Sequence, residues 1–390
     1  MKLSQINSVS FKGKIIDAHA HYGRWEGRHN FGMDSLNKFL QSPLDIYINN
    51  QKTTDTLEKM IVSSLDCITP INTIDEVTGL KNAIEFAKQN DKISILAVCQ
   101  PNLTKGNVNA LKQAINDNPS VIGLKFHPEK LFQTEGGGVI GADHQWYDSY
   151  MQLAAEKKFP CLFHSDGNNF SNAKKIYDLA KRHKDVPVIL GHSGCDDFDS
   201  ALNVMIESVR KKDAKLYCDI SWLNWENGLP DGSHSKVKTL IEKMKSINAL
   251  DRILFGTDAP LGCFGESLAT DKFGTTLSEK QAYEKTVSGL KTMIKNNFAS
   301  ESDEIIDKIF YQNAQELFFD KKWAQAVEIK PVAPPKFHLP KATKAIALIG
   351  LGIAAIGTLC LVFCGKNNSA KSLKQTALTS SNIATSKLNK

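Results

Sequence analysis

The feature of this sequence that most restricts its fold is a repeated alternation of short apolar runs with helical segments. Each of eight runs is nearly continuously apolar and rich in Val, Ile, Leu and Phe, and each is followed by a polar turn. Such runs are typical of parallel strands that are buried on both faces. The runs cover residues 14–21, 59–66, 93–101, 121–128, 160–166, 187–194, 215–221 and 252–260.

The segments between the runs have the spacing of amphipathic helices. From Ala173 to Ala180 apolar residues fall at i, i+3, i+4 and i+7, and the same spacing recurs from Leu202 and from Val237. One apolar stripe per helix is suited to packing on a sheet. Eight strands that alternate with helices predict an α/β protein with a (β/α)8 TIM barrel. A doubly wound open sheet is the alternative, but no G-x-G-x-x-G motif follows the first run.

The chain divides into a barrel and a carboxyl-terminal region of different composition. Residues 1–322 hold the predicted barrel, and residues 323–344 form a Pro/Lys linker. Residues 345–365 contain no charge, and as a helix they would span roughly 31 Å, the thickness of a bilayer's hydrocarbon core. We therefore expect a single transmembrane helix there, followed by a polar basic tail at 366–390. A buried helix of the barrel domain is the alternative, which the linker and the solvated tail disfavour.

The positive charge of the chain lies in its tail. The net charge is +6, but residues 321–390 carry eleven lysines and one acidic residue, so the first 320 residues have a net charge of −4. No nucleic-acid partner is therefore predicted. The eight cysteines show no C-x-x-C spacing and the first residues contain no apolar signal sequence, which predicts a membrane-anchored barrel facing the cytoplasm. Small residues at Gly350, Ala354 and Thr358 would allow two such helices to pair in a homodimer.

Polar side chains stand at the ends of the predicted strands. His19 and His21 end the first strand, and residues two apart on a strand point to the same side. The strand ends of a barrel meet at one rim, where active sites lie. A single histidine there is most simply a packed rim group, but the joint pattern predicts a metal site. The other strand-end residues are Lys125, His127, His164, His192 and Asp258.

These stretches resemble the amidohydrolase superfamily of metal-dependent barrels. Within it, the amidohydrolase-related branch that includes aminocarboxymuconate-semialdehyde decarboxylase is the most similar. The matching stretches are "DAHAH", "GLKFHP", "FHSD", "LGHSG" and "FGTDAP", and "YQNAQELF" resembles the closing helix, over about residues 14–320. The resemblance implies that one divalent metal is bound by four ligands and that His192 is a catalytic histidine. The implied ligands are His19, His21, His164 and Asp258.

The expected ligands also indicate a chemistry. Three imidazoles and one carboxylate suit Zn²⁺, and Fe, Mn, Co or Ni are also compatible. Asp258 would accept the proton of a metal-activated water, and His192 would hydrogen-bond the water or the developing oxyanion. We therefore expect hydrolysis of a C–N or C–O bond in a small-molecule substrate such as an amide, lactam or lactone. A decarboxylase with the same ligands is the close alternative, because the branch contains both chemistries.

Three further residues are expected to line the substrate pocket, namely Lys125, His127 and Trp222. Lys125 has an alternative as a carbamylated ligand that bridges two metals, as in other branches, and Trp222 has one as a cap on the core. Asp17 is expected either to orient a ligand imidazole or to make a buried structural hydrogen bond.

Two other classes of protein share some of these features. A TatD-like deoxyribonuclease also has an early His-x-His pair, but the acidic barrel domain disfavours it. A membrane-tethered scaffold that has lost catalysis is disfavoured because all five expected metal-site and catalytic residues are present.

Overall fold

Ten strands form one sheet in the computed structural model, and eight of them run parallel to their neighbours and curl into a barrel. The structure describes residues 13–25, 29–41, 43–68, 74–101, 107–116, 118–128, 140–223, 233–259 and 277–324. The strands are β1 (Lys14–Trp25), β2 (His29–Phe31), β3 (Leu44–Ile48), β4 (Gln51–Ser64), β5 (Ile93–Val98), β6 (Val121–Phe126), β7 (Cys161–His164), β8 (Pro187–Gly191), β9 (Lys215–Asp219) and β10 (Ile253–Leu254).

The barrel strands are β1 and β4 to β10, in chain order around the sheet. Only two residues of the eighth predicted run have strand geometry. The barrel is therefore closed between β10 and β1 by residues that follow β10 in the chain. Ala20 forms a parallel bridge with Ala259, and the Ala18 amide donates to the Phe255 carbonyl at 2.9 Å. The predicted (β/α)8 barrel is confirmed.

Helices follow the barrel strands as the apolar spacing predicted. The described α-helices are α1 (Met33–Leu40), α2 (Glu76–Ala87), α3 (Val108–Ile115), α4 (Asp148–Lys157), α5 (Ala173–Arg182), α6 (Phe198–Lys211), α7 (Ser235–Ser246), α8 (Glu279–Phe298) and α9 (Ser302–Asp307). In α5 the stripe that includes Ile176 and Tyr177 is fully buried. An apolar stripe of this kind holds each helix on the outside of the sheet.

Two large apolar layers lie within the part of the chain that the structure describes. One lies between the strands and the helices, and the other fills the inside of the barrel with about one side chain from each strand. Leu317 and Phe318, from the stretch predicted to be the closing helix, belong to the inner layer. The barrel is therefore a packed core rather than a pore, and polar groups are accommodated at its rim. The inner side chains from the strands are Ile16, Ala18, Ile61, Leu96, Ile122, Leu162, Ile189, Tyr217 and Leu254.

The segment between the first two barrel strands contains secondary structure of its own. Residues 22–58 include β2, α1 and β3. β3 pairs antiparallel with the first half of β4, from Leu44 opposite Asp55 to Ile48 opposite Gln51. This hairpin also packs on α8, where Glu284 accepts a hydrogen bond from the Asp45 amide at 2.8 Å. Apolar and polar residues alternate in β3, which is typical of a strand with one buried face.

The carboxyl-terminal predictions fall mostly outside the described residues. The helical stretch that begins with α9 continues through two π-helical segments, Lys308–Gln312 and Gln315–Phe319. Within the part of the chain that the structure describes, no helix has the length and apolar character needed to cross a membrane. The predicted transmembrane segment at 345–365 and the tail lie outside that part.

Candidate metal centre

His19 and His21 reach the barrel mouth from an irregular part of β1. The pairing of β1 with β4 shifts register between Asp17 and Ala20. Ala18 lies in the inner apolar layer, whereas Ala20 lies in the outer one. Such an irregularity re-aims the side chains that follow it. The two histidine rings are buried with their centroids 5.2 Å apart, so the predicted convergence of the pair is present.

Asp258 joins the two histidines from the other side of the barrel seam. Its Oδ1 atom lies 2.9 Å from His21 Nε2 and 3.3 Å from His19 Nε2. Its amide donates to the His19 carbonyl at 2.7 Å, so the backbone that closes the barrel also positions this carboxylate. One donor atom from each of the three side chains lies within 4.8 Å of the others.

The far nitrogen of each imidazole is held by another polar group. Ser63 Oγ lies 2.8 Å from His21 Nδ1, and Asp219 Oδ2 lies 3.0 Å from His19 Nδ1. Both Nε2 atoms are thereby directed at the Asp258 carboxylate. Fixing one ring nitrogen so that the other can bind metal is the usual arrangement around histidine ligands.

The ionisation of this cluster also suits a cation. Burial lowers the pKa of His21 to about 4, so its imidazole is neutral near pH 7. Burial alone raises the pKa of Asp258, but the nearby His192, His19 and His21 bring it well below its usual value. A neutral imidazole beside a carboxylate anion is the form in which both side chains bind a metal.

His164 and His192 form a second pair beside this cluster. His192 Nε2 lies 3.1 Å from His164 Nδ1, and His192 Nδ1 lies 2.8 Å from Ser221 Oγ. The rings of His192 and His19 have centroids 4.8 Å apart. The cluster of His19, His21 and Asp258 therefore contains three of the four expected ligands. The fourth, His164, contacts His192, which in turn lies beside His19.

Three rim residues take up left-handed backbone conformations, with φ of 61° at His192, 62° at Trp222 and 58° at Asp258. Residues other than glycine rarely adopt such angles, and each case costs about 1–3 kcal/mol. All three contribute side chains to the centre. These strained backbone conformations occur just after the ends of β8, β9 and β10, and they direct the three side chains into the centre.

Asp219 was not among the predicted functional residues. It ends β9 with its side chain fully buried, between His19 and the backbone of His192. Burial alone raises its pKa, but His19, His192 and Ser221 bring it down to about 2. The signal was present in the sequence, because Asp219 stands near the end of the seventh apolar run as Asp258 does in the eighth.

The three predicted substrate residues occupy different positions. Lys125 is buried, with Nζ 2.8 Å from His19 Nε2, and burial lowers its pKa to about 8. Trp222 is 45% exposed and donates from Nε1 to Asp258 Oδ2 at 2.8 Å. His127 stacks on His164 with centroids 4.0 Å apart. Lys125 and Trp222 therefore touch the cluster itself, and His127 lies behind His164.

Within the described residues, the hydrogen bonds of the Asp17 carboxylate go to groups other than histidine rings. Its carboxylate accepts hydrogen bonds from Thr257 Oγ1 at 2.6 Å and from Tyr283 on α8 at 3.2 Å, and from the His19 amide at 3.2 Å. Of the two roles expected for it, the structure shows the buried structural hydrogen bond.

The donor set fits a divalent metal. His19 Nε2, His21 Nε2 and Asp258 Oδ1 converge, and the opposite nitrogen of each imidazole is fixed by a separate partner. Nitrogen and oxygen donors in this combination are found in catalytic sites for zinc and related metals. Asp219 forms a second group with His19 and His192, but its carboxylate is already engaged by hydrogen-bond donors.

A parallel barrel whose rim carries a histidine and aspartate centre defines a class of metal-dependent barrel enzymes. A family model described as amidohydrolase matches residues 16–319. The chain therefore belongs to the amidohydrolase family, and the resemblance drawn from its motifs is confirmed. A comparison with curated proteins found no match.

Solved structures share the fold at low sequence identity. One is a probable 2-pyrone-4,6-dicarboxylic acid hydrolase from Acinetobacter baumannii with citric acid bound, with 15% identity, a TM-score of 0.50, and coverage of 78% of this chain and 98% of that chain. Another is a 2,6-dihydroxybenzoate decarboxylase complexed with 2,6-dihydroxybenzoate, which has the same identity, TM-score and coverage. At this identity the similarity concerns the fold alone.

Proposed function

We propose that this protein is a metal-dependent hydrolase that cleaves a C–N or C–O bond in a small molecule. The observation that carries the proposal is the convergence of His19, His21 and Asp258 at the barrel mouth, with both imidazoles held from behind. Zn²⁺ is the proposed metal, with Fe, Mn, Co or Ni as alternatives, and His164 is the proposed fourth ligand.

The bound metal would lower the pKa of a water molecule, to about 7 in the case of Zn²⁺. Asp258 would accept a proton on Oδ2. That oxygen also accepts a hydrogen bond from the Trp222 Nε1–H, while Oδ1 faces the two histidines. His192 lies beside His19 and is the proposed hydrogen-bond partner of the charge that develops on the substrate.

Lys125 favours an anionic substrate. Its ammonium is buried at the centre, and a buried cation of this kind can pair with a substrate carboxylate. A carboxylated substrate is compatible with hydrolysis and also with the alternative reaction, metal-dependent decarboxylation. The exposed Trp222 indole would form one wall for such a substrate.

The metal content of the full-length protein tests the proposal. We expect about one Zn, Fe or Mn per chain after purification without chelator, and loss of that metal in Asp258→Asn and His164→Ala. His183→Ala is the matched control, because His183 lies at the end of α5 and bonds Asp148, away from the centre. Absence of metal after reconstitution would overturn the proposal, and two metals per chain would indicate a carbamylated Lys125.

The products then separate the two reactions. Amides, lactones and carboxylated aromatic compounds are offered to the loaded enzyme, and both carbon dioxide and newly formed acid are measured. Release of acid without carbon dioxide is expected from a hydrolase, and release of carbon dioxide would assign the decarboxylase alternative.

We further propose that residues 345–365 anchor the protein in a membrane with the barrel in the cytoplasm. Pairing of two such helices through Gly350, Ala354 and Thr358 would make the protein a homodimer. The uncharged length of this segment, between a lysine-containing linker and a basic tail, supports the proposal.

A further inference from the structure

The Asp219 carboxylate has an unequal set of contacts on its two oxygens. Oδ1 accepts from the His192 amide at 3.1 Å, from the Ser221 amide at 3.0 Å and from Ser221 Oγ. Oδ2 lies 3.0 Å from His19 Nδ1. The two backbone donors on Oδ1 cannot become acceptors, so that side of the carboxylate must be an acceptor.

The proton on the His19 ring is located by two independent contacts. Asp219 Oδ2 can only accept, so Nδ1 of His19 must donate to it. On the other side of the ring, Nε2 lies 3.3 Å from Asp258 Oδ1 but only 2.8 Å from Lys125 Nζ, and an ammonium can only donate. The two shortest contacts of the ring therefore require the same tautomer, with the proton on Nδ1 and the lone pair on Nε2.

We propose that Asp219 is the positioning residue of the centre, which holds His19 in the tautomer that can bind a metal and at the same time fixes the backbone of the catalytic histidine His192. His192 has a left-handed backbone, with φ of 61°, and its amide hydrogen bond to Asp219 stabilises that conformation. One buried carboxylate thus links the first predicted ligand to the predicted catalytic residue.

Asp219 is not proposed as a metal ligand. Its side chain is fully buried, three donors surround Oδ1, and His19 occupies Oδ2. A metal at this carboxylate would have to displace the His19 contact and so release the ring that the centre needs.

The variant Asp219→Asn tests the proposal because the amide fits the site in only one orientation. Its oxygen must take the Oδ1 position, where the backbone amides of His192 and Ser221 donate. Its NH₂ group then faces His19 Nδ1, which has to become an acceptor. The ring proton moves to Nε2, the atom that would bind the metal.

Nitrogen NMR of the full-length protein, with ¹⁵N-labelled histidine and without metal, reads the tautomer directly. The His19 signals are assigned by their loss in His19→Gln. We expect a protonated Nδ1 in the wild type and in the matched control Asp213→Asn, since Asp213 accepts from Tyr177 ahead of β9, and a protonated Nε2 in Asp219→Asn. A protonated Nε2 in the wild type would overturn the inference even if the Asn variant failed to fold.

Metal affinity gives a second measurement, which rests on the proposed function. Loss of a polar partner behind a ligand histidine typically weakens metal binding about 10–100-fold, and we expect a loss in that range for Asp219→Asn, against less than about threefold for Asp213→Asn. A purely structural Asp219 would lower the melting temperature of the Asn variant without moving the proton or changing the affinity. If the wild type binds no metal, the proposed function fails, and the tautomer measurement still decides the role of Asp219.

Discussion

At the scale of single residues, Lys125 occupies the position at His19 where the proposed metal would bind. Its ammonium contacts His19 Nε2, the atom that would ligate the ion. The ammonium must leave that atom before a metal can bind there, so Lys125 and the metal compete for the same lone pair. The negative charges of Asp258 and Asp219 stabilise the Lys125 ammonium. They would stabilise a metal ion at the same position in the same way.

We therefore expect Lys125→Met to bind Zn²⁺ about tenfold more tightly than the wild type, which corresponds to about 1.4 kcal/mol. Titration against a competing chelator measures the change. Lys215→Met is the matched control, because Lys215 is a partly buried lysine at the start of β9, the strand that ends at Asp219. Weaker binding by Lys125→Met would contradict competition and would favour a lysine-derived ligand.

The residue scale also shows where inference from sequence is effective. His19, His21 and Asp258 lie together in the structure, as expected when the strand ends of a barrel share one rim. The contact of Trp222 with Asp258 depends on a left-handed backbone after β9. No spacing rule predicts such an angle, because the surrounding structure imposes it.

At the scale of elements, α8 is tied to the barrel by a buried ion pair. Lys291 on α8 bonds Asp55 on β4, and both side chains are almost completely buried. Lys291 Nζ also lies 5.0 Å from the centre of the Phe310 ring. The strand half that carries Asp55 is paired with β3, so this contact joins the helix to the hairpin as well.

Removing one partner of a buried ion pair leaves the other charge without compensation, which typically costs about 3–5 kcal/mol. We expect Lys291→Met to lower the free energy of unfolding by about that amount, measured by urea denaturation. The double variant Asp55→Asn/Lys291→Met should recover much of the loss, since no charge then remains buried. Equal losses in the single and double variants would show that packing, rather than the charge, is what matters at this contact.

Element boundaries were predicted less well than element types. Apolar runs located the barrel strands because both of their faces are buried. The irregularity of β1 between Asp17 and Ala20 arises from its pairing with β4, which lies in another part of the chain. The same holds for β3, whose edge is stabilised by polar groups of α8, including Ser288, which accepts from the Tyr47 amide at 3.0 Å.

At the scale of the whole molecule, the described barrel and the proposed anchor make separate predictions. Full-length protein expressed in cells should remain in the membrane pellet after carbonate extraction, because an uncharged 345–365 helix would be embedded in lipid. Residues 1–322 should be recovered in the supernatant with unchanged metal content. Extraction of the full-length protein by carbonate would contradict the anchor without affecting the metal centre.

The closure of the barrel has a consequence for how the protein is made. The amides of His21 and Asp258 bond across the seam between the first and last barrel strands, to the Ala259 and His19 carbonyls. His21 and Asp258 are 237 positions apart in the chain. A ribosome releases the first of these residues long before it has made the last, and contacts of such separation form late in folding. The nascent chain therefore exposes unclosed strand edges and cannot assemble the cluster of His19, His21 and Asp258 until nearly the whole barrel has been synthesised.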